Sequence, residues 1–273
     1  MSPDLSKPPA ALPLPPEHLR ILVGPFSDAA LFARSGDAML ADIVALCGLA
    51  TDAKVLDVGC GCGRVARALA GYLGPAGRYH GFDPTGDLVA WCQRNLEPHL
   101  PNFRFTVADI RSPDRNPGGT IAAPEFRFPF ADQMFDLTIL SSVFTHMLPD
   151  AVEHYVAELA RVVAPGGCCF ITVFLFDADG EAAVAAGTTI FDFRHPVGPC
   201  LTFNPDDPYD GLACRPQWLF GLLARHGFVI ETVRLGNWRR VRSYEISQDY
   251  VVARRPPGSA APSPHSGPRS SQP

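Results

Sequence analysis

The stretch KVLDVGCGCGR, residues 54–64, decides the fold. Lys54 to Val58 is a short apolar run with β-branched residues, stopped by Gly59, and it reads as a strand. A helix is expected straight after, from Arg64 to Tyr72, with Val65, Ala68, Leu69 and Tyr72 on one face. Between them stand Gly59, Gly61 and Gly63, at alternate positions. Glycines so placed let the backbone approach a ligand closely, at the mouth of a helix. A dinucleotide fingerprint would read GxGxxG, with a small third residue packing helix on strand. This chain reads GxGxG, and Arg64 stands where that fingerprint needs the small residue. The spacing therefore speaks against a nicotinamide cofactor.

Outward from this turn, strands and helices alternate. Strands are expected at 78–82, 103–107, 135–140, 168–176, 228–233 and 248–253. The run 168–176 is unbroken and apolar, as in a strand covered on both faces. Helices are expected at 87–96, at 152–163 and at 216–226, and over 28–49 with a break near Ser35-Gly36. The alternation predicts an α/β fold, a Rossmann-like doubly wound sheet that is mostly parallel. Its last two strands are close enough in sequence to pair antiparallel. Residues 111–130 read as a loop insertion and 177–213 as an irregular segment over the acceptor side.

In such sheets a ligand sits outside the carboxyl ends of the strands, where strand order reverses. Three aspartates stand at those ends. Asp57 precedes the glycine turn, where it orients the loop or answers an ammonium group. Asp83 closes the second strand, placed to accept from ribose hydroxyls. Asp109 closes the third, placed to accept from an adenine amino group, with Ile110 beside the ring. Each alone is equally a turn former or cap; together they mark one sheet edge.

The chain has 273 residues, 47% of them hydrophobic, and a net charge of -5. This suits a sizeable core and argues against a nucleic-acid or anionic-membrane partner. No apolar run reaches the ~18 residues of a membrane span, and residues 1–9 lack a signal-peptide core. Eight cysteines form no CxxC pair, which is read as reduced, mostly buried thiols in a cytoplasmic protein. Prolines crowd residues 1–16 and 256–273, and both ends are expected to be disordered around a domain spanning 17–255.

The motifs resemble those of class I S-adenosylmethionine-dependent methyltransferases. VLDVGCGCG (55–63) is similar to their first motif, the strand end at Asp83 to the second, and VADI (107–110) to the third. FDLTILSSVFTHM (135–147) resembles the fourth strand with its loop, and ARVVAPGGCCFIT (160–172) the signature that follows. A bacterial subgroup of the type 11/25 kind is closer still. That likeness rests on GFDPTGDLVAWC (81–92), FRFPF (126–130), SVFTHMLPDAVEHYVAELARV (142–162) and QDYVVARR (248–255), and extends over about 20–255. The resemblance implies S-adenosyl-L-methionine as cofactor and seven strands with the last antiparallel. It also implies a segment near Gly24–Gly36 folded over the cofactor. In place of a second glycine expected by the next turn, this chain reads Gly236-Asn237-Trp238-Arg239-Arg240.

A hydroxyl acceptor needs a general base. His146, after the fourth strand, is a candidate base or acceptor-binding group; the alternative is a helix-start histidine with packing or capping bonds. His195 is a second candidate base and Arg194 an anion clamp, both inside 177–213. Trp238 and Tyr244 could wall the acceptor, and Ser141 and Ser142 could meet the cofactor or be plain loop serines. Trp91 and Cys92 read as packing residues. The loop Ser141-Ser142-Val143-Phe144 lacks the NPPY or DPPY sequence of enzymes that methylate nucleic-acid amines. The Asp-Asn pair of metal-dependent catechol enzymes is not found either, so no metal site is expected. A small-molecule or glycan acceptor with oxygen or nitrogen as nucleophile is expected. The alternative is a cofactor-binding sensor or partner subunit without catalysis.

Overall fold

The computed structural model describes residues 12–240 and 247–258. In chain order its strands are β1 (Lys54–Val58), β2 (Arg78–Asp83), β3 (Phe103–Val107), β4 (Ile110–Arg111), β5 (Ile121–Ala122), β6 (Phe135–Ser141) and β7 (Val163–Leu175). They continue as β8 (His195–Val197), β9 (Cys200–Thr202), β10 (Leu212–Cys214), β11 (Val229–Arg234) and β12 (Asp249–Arg254). The helices are α1 (Glu17–Arg20), α2 (Ala29–Cys47), α3 (Arg64–Leu69), α4 (Gly86–Asn95), α5 (Pro149–Val162), α6 (Ala178–Ala186) and α7 (Pro216–Arg225).

The main sheet runs β3-β2-β1-β6-β7, all parallel, and continues through β12 and β11, both antiparallel to their neighbours. These seven strands are the ones expected. β7 departs most from its expected bounds: it starts at Val163, takes up Pro165-Gly166-Gly167 and crosses a register irregularity opposite Phe135 and Leu137. Strand order reverses between β1 and β6, which opens a crevice at their carboxyl ends. One face of the sheet packs on α2, α3 and α4 through Phe32, Ile43, Val65 and Val89. The other packs on α5 and α7 through Val152, Val156, Leu159 and Leu219.

Several expectations need correction. α2 does not break at Ser35-Gly36. A Cβ at Gly36 would lie 2.5 Å from the Arg64 carbonyl oxygen, so the glycine serves a close approach of α2 to the start of α3. The segment 177–213 is not irregular. It holds α6 and the antiparallel hairpin β8–β9, which extends to β10 and so joins the far end of β7. A satellite core of Phe174, Phe176, Phe193, Leu201 and Trp238 holds this cap down. Residues 111–130 carry the small parallel pair β4–β5 and bury Phe126 and Phe128. Leu12 packs in the core, so part of the proline-rich stretch 1–16 is packed. Residues 1–11 and 259–273, most of the two ends expected to be disordered, lie outside the described residues, as does Tyr244. All eight cysteines are unpaired and buried.

Candidate active site

A cavity of about 1470 Å³ fills the crevice at the switch point. Its floor is the glycine turn. Gly59, Gly61 and Gly63 have φ of 72°, 53° and 78°, a left-handed conformation that side chains rarely adopt. Gly59 and Gly61 line the cavity. A Cβ on Gly61 would come within 2.7 Å of Val23 Cγ1, so the missing side chain keeps a slot open between the turn and the N-terminal segment. Gly63 does not line it. It starts α3, where a Cβ would meet Leu96 and Cys92, and its role is packing.

Asp57 lines the cavity yet is almost wholly buried, and accepts from the Tyr79 hydroxyl at 2.7 Å. Burial pushes its carboxyl up to about 7, against the Tyr79 bond and the nearby Arg64 charge. Asp83 also lines the cavity. Its Oδ2 accepts from Gly61 N–H at 2.9 Å and its Oδ1 from Thr85 N–H at 2.8 Å. Burial raises its pKa and these backbone donors oppose the rise. Each carboxylate oxygen keeps a further lone pair for a hydroxyl.

Asp109 and Ile110 part company. Ile110 lines the cavity. Asp109 is exposed, and both its oxygens accept from Thr120, from the backbone N–H at 2.9 Å and from the hydroxyl. It closes the β4–β5 loop and, unlike Ile110, is not among the residues that line the cavity. Ser141 lines the cavity and accepts at Oγ from Arg64 at 2.9 Å.

His146 lines the cavity across the turn from Asp57. Its Nδ1 lies 2.7 Å from the Tyr209 carbonyl oxygen. A carbonyl only accepts, so Nδ1 carries the proton and Nε2 keeps a lone pair. Burial lowers the ring's pKa, with the Tyr209 bond opposing; Arg115 lowers it further, while Asp114 and Asp210 raise it. His195 is not brought to this site. It is exposed at the start of β8, paired with Thr202 across the hairpin, and does not line the cavity. Arg194 pairs with Asp192 at the surface. Trp238 is fully buried among Phe174 and Phe193, and its Nε1 donates to Asp249 at 2.9 Å. It walls no acceptor pocket. Trp91 and Cys92 are buried in the core, as packing residues.

Residues outside the sequence-derived set complete the cavity. Arg64 stands over the Phe26 ring at 5.4 Å and has no carboxylate in ion-pair range among the described residues. Its place right after the glycine turn was the available signal. The N-terminal segment roofs the cavity with Leu22, Val23 and Phe26, and Arg115 donates to the Leu22 carbonyl at 2.7 Å across the mouth. Arg20 holds that roof together by bonds to the Pro15, Phe26 and Ser27 carbonyls. Of the expected stretch 24–36, Gly24, Pro25, Phe26, Leu31 and Ser35 line the cavity, joined by Ile21, Leu22 and Val23 ahead of it.

A parallel sheet, a glycine turn at its switch point and an acidic second-strand end define a nucleotide-cofactor-binding domain of the Rossmann-like class. Residues 55–167 match the family model described as "Methyltransferase domain". The match supports a class I S-adenosylmethionine-dependent methyltransferase of the type 11/25 kind over this segment. S-adenosylmethionine is the cofactor of that class. The glycine slot, the acidic pair Asp57 and Asp83 and the unpaired Arg64 guanidinium fit an amino-acid-bearing nucleoside. An uncharacterized protein of Haemophilus influenzae is 28% identical over 125 residues, 46% of this chain. That stretch spans 44% of the relative's own length. Among solved structures, a SAM-dependent methyltransferase from Aquifex aeolicus is similar at TM-score 0.52 and 17% identity, over 88% of this chain and 98% of that one. The [4+2]-cyclase SpnF is similar at TM-score 0.53 and 19% identity, over 81% of each chain. These likenesses are of fold.

No helix among the described residues is long and apolar enough to cross a membrane.

Proposed function

We propose that this protein moves a methyl group from S-adenosylmethionine to an oxygen or nitrogen of a small-molecule or glycan acceptor, without a metal, with His146 as general base. The observation that carries the reading is the His146 ring at the cavity wall, oriented by the Tyr209 carbonyl. Nδ1–H is committed to Tyr209, and Nε2 is left to take a proton. The bound cofactor supplies an electrophilic methyl group on a sulfonium and leaves as a neutral thioether.

The chain's own residues do the rest. Gly59 and Gly61 admit the cofactor, Asp57 takes its ammonium group, Arg64 its carboxylate, Asp83 the ribose hydroxyls and Ile110 one face of the adenine. Ser141 holds Arg64 in place. Positioning of this kind supplies much of the rate of an in-line displacement. The acceptor's lone pair forms the new bond to carbon, and its proton passes to His146 Nε2. The roof of Leu22, Val23 and Phe26 excludes water. The negative charge of the chain speaks for an acceptor other than nucleic acid. Unpaired thiols support a reducing, cytoplasmic setting.

The test is methyl transfer from methyl-labelled cofactor to a panel of small hydroxyl and amino compounds and sugars. His146→Ala is expected to lower kcat by ~10²–10⁴ while S-adenosylhomocysteine binds as before. An unchanged kcat and pH–rate profile would make His146 structural.

A further inference from the structure

On the β6–β7–β12 side of the switch point three polar side chains from three elements meet at the cavity wall. Ser142 follows β6, Thr172 lies on β7 and Gln248 stands just ahead of β12; all three line the cavity. Thr172 Oγ1 accepts from the Ser142 backbone N–H at 2.8 Å and gives its own proton to Gln248 Oε1 at 2.7 Å. The Ser142 hydroxyl donates to the same oxygen at 3.1 Å. Both hydroxyls face the one atom assigned as the amide oxygen, which can accept from each of them. Ser142 holds φ at 60° to make these bonds, a left-handed conformation rare for serine.

The opposite end of that amide is Nε2. It carries two N–H donors, and no bond from it is formed within the described residues. A donor group fixed from behind and left open in front reads a bare lone pair. The cofactor's own polar groups are already answered on the other side of the switch point, by Asp57, Arg64 and Asp83. The β6–β7–β12 side is left for the acceptor, and His146 Nε2 contributes the proton-taking lone pair to the same cavity.

We propose that Gln248 reads the acceptor, its amide N–H donating to a carbonyl or carboxylate oxygen next to the hydroxyl or amino group that is methylated. This rests on the methyltransferase reading above and narrows its acceptor class. A molecule lacking that oxygen leaves the amide donor unpaired, which costs selectivity rather than cofactor affinity.

The experiment uses matched probes: salicylate against phenol, and anthranilate against aniline. Binding to the S-adenosylhomocysteine-loaded protein is read by calorimetry, and turnover with labelled cofactor in parallel. The wild type is expected to favour the carboxylate-bearing member of each pair by about tenfold or more. Gln248→Leu should erase the preference. Gln248→Glu keeps an oxygen for Thr172 and Ser142, offers no N–H, and should disfavour the carboxylate-bearing member. S-adenosylhomocysteine should bind all three proteins alike. Equal binding of both members to the wild type, binding of neither, or a preference that survives in Gln248→Leu overturns the proposal. So does a variant that loses S-adenosylhomocysteine, which would assign the amide to the cofactor. A wild type that fails to bind S-adenosylhomocysteine at all overturns the methyltransferase reading instead.

Discussion

Asp57 is a carboxyl group held in two minds by its surroundings. Burial favours its neutral form up to about pH 7, while Tyr79 and Arg64 favour the anion. A folded-state pKa raised above the unfolded value has a definite consequence. Its contribution to stability is full below the unfolded carboxylate range and is lost as pH rises through about 7. Asp57→Asn should flatten that slope in denaturant melts across pH 4–7, the span between the unfolded and folded pKa values, from ~4 to about 7. An unaltered slope would show that Asp57 is ionised throughout. If Asp57 answers the cofactor's ammonium group, S-adenosylhomocysteine binding at pH 6–7 releases a proton, measured as a buffer-dependent heat. His146 shifts the other way. Burial lowers its pKa, so the active neutral base persists to a pH below the ordinary histidine range, and kcat/KM should fall only below it. The placement of Asp57, Gly59, Gly61 and Asp83 at the cavity was legible in sequence because strand ends and positive-φ turns are local features; Gly63 turned out to serve packing. The direction of Asp109 was not legible, since it depends on Thr120, eleven residues on by numbering and placed only by the β4–β5 pair.

Elements are joined by a few side chains that sequence periodicity cannot show. Gly36 reads as a helix breaker by propensity, yet tertiary contact overrides it: α2 stays intact and the glycine admits the Arg64 carbonyl. Gly36→Ala should therefore destabilise by ~1–3 kcal/mol through overpacking, although alanine is the better helix former. A raised melting temperature would contradict this contact. Asp249, fully buried, ties β7, β12 and the Gly236–Arg239 turn together. It accepts from Leu175 N–H, Gly236 N–H, Trp238 Nε1 and the Arg239 guanidinium, at 2.6 Å from Arg239 Nη1. Asp249→Ala leaves the buried Arg239 with the half-buried Asp177 as its remaining carboxylate beside the Leu175 carbonyl, and should cost ~3–5 kcal/mol in chemical denaturation. This node also explains why Trp238 faces the core of the cap. Within 177–213 the strands β8–β10 have three residues each, too few for periodicity to declare, and the nine residues of α6 are mostly alanine, with no apolar stripe to read.

Across the whole molecule, the sheet order, the switch point and the location of the cavity follow from alternating patterns and were readable in advance. The rest of the cavity was not, because its walls come from the roof at 21–26, the loop 111–130, Tyr209 and Gln248, distant in sequence and joined only by folding. The central claim is that the glycine slot between the turn and the Val23 roof holds S-adenosylmethionine. Calorimetric titration with S-adenosylhomocysteine tests it most directly, with NADH as control and Gly61→Arg alongside. The account predicts a Kd on the order of micromolar, ~8 kcal/mol, for the wild type, with no heat from NADH and none from the variant. A wild type that does not bind, a variant that binds equally, or NADH bound more tightly would contradict it.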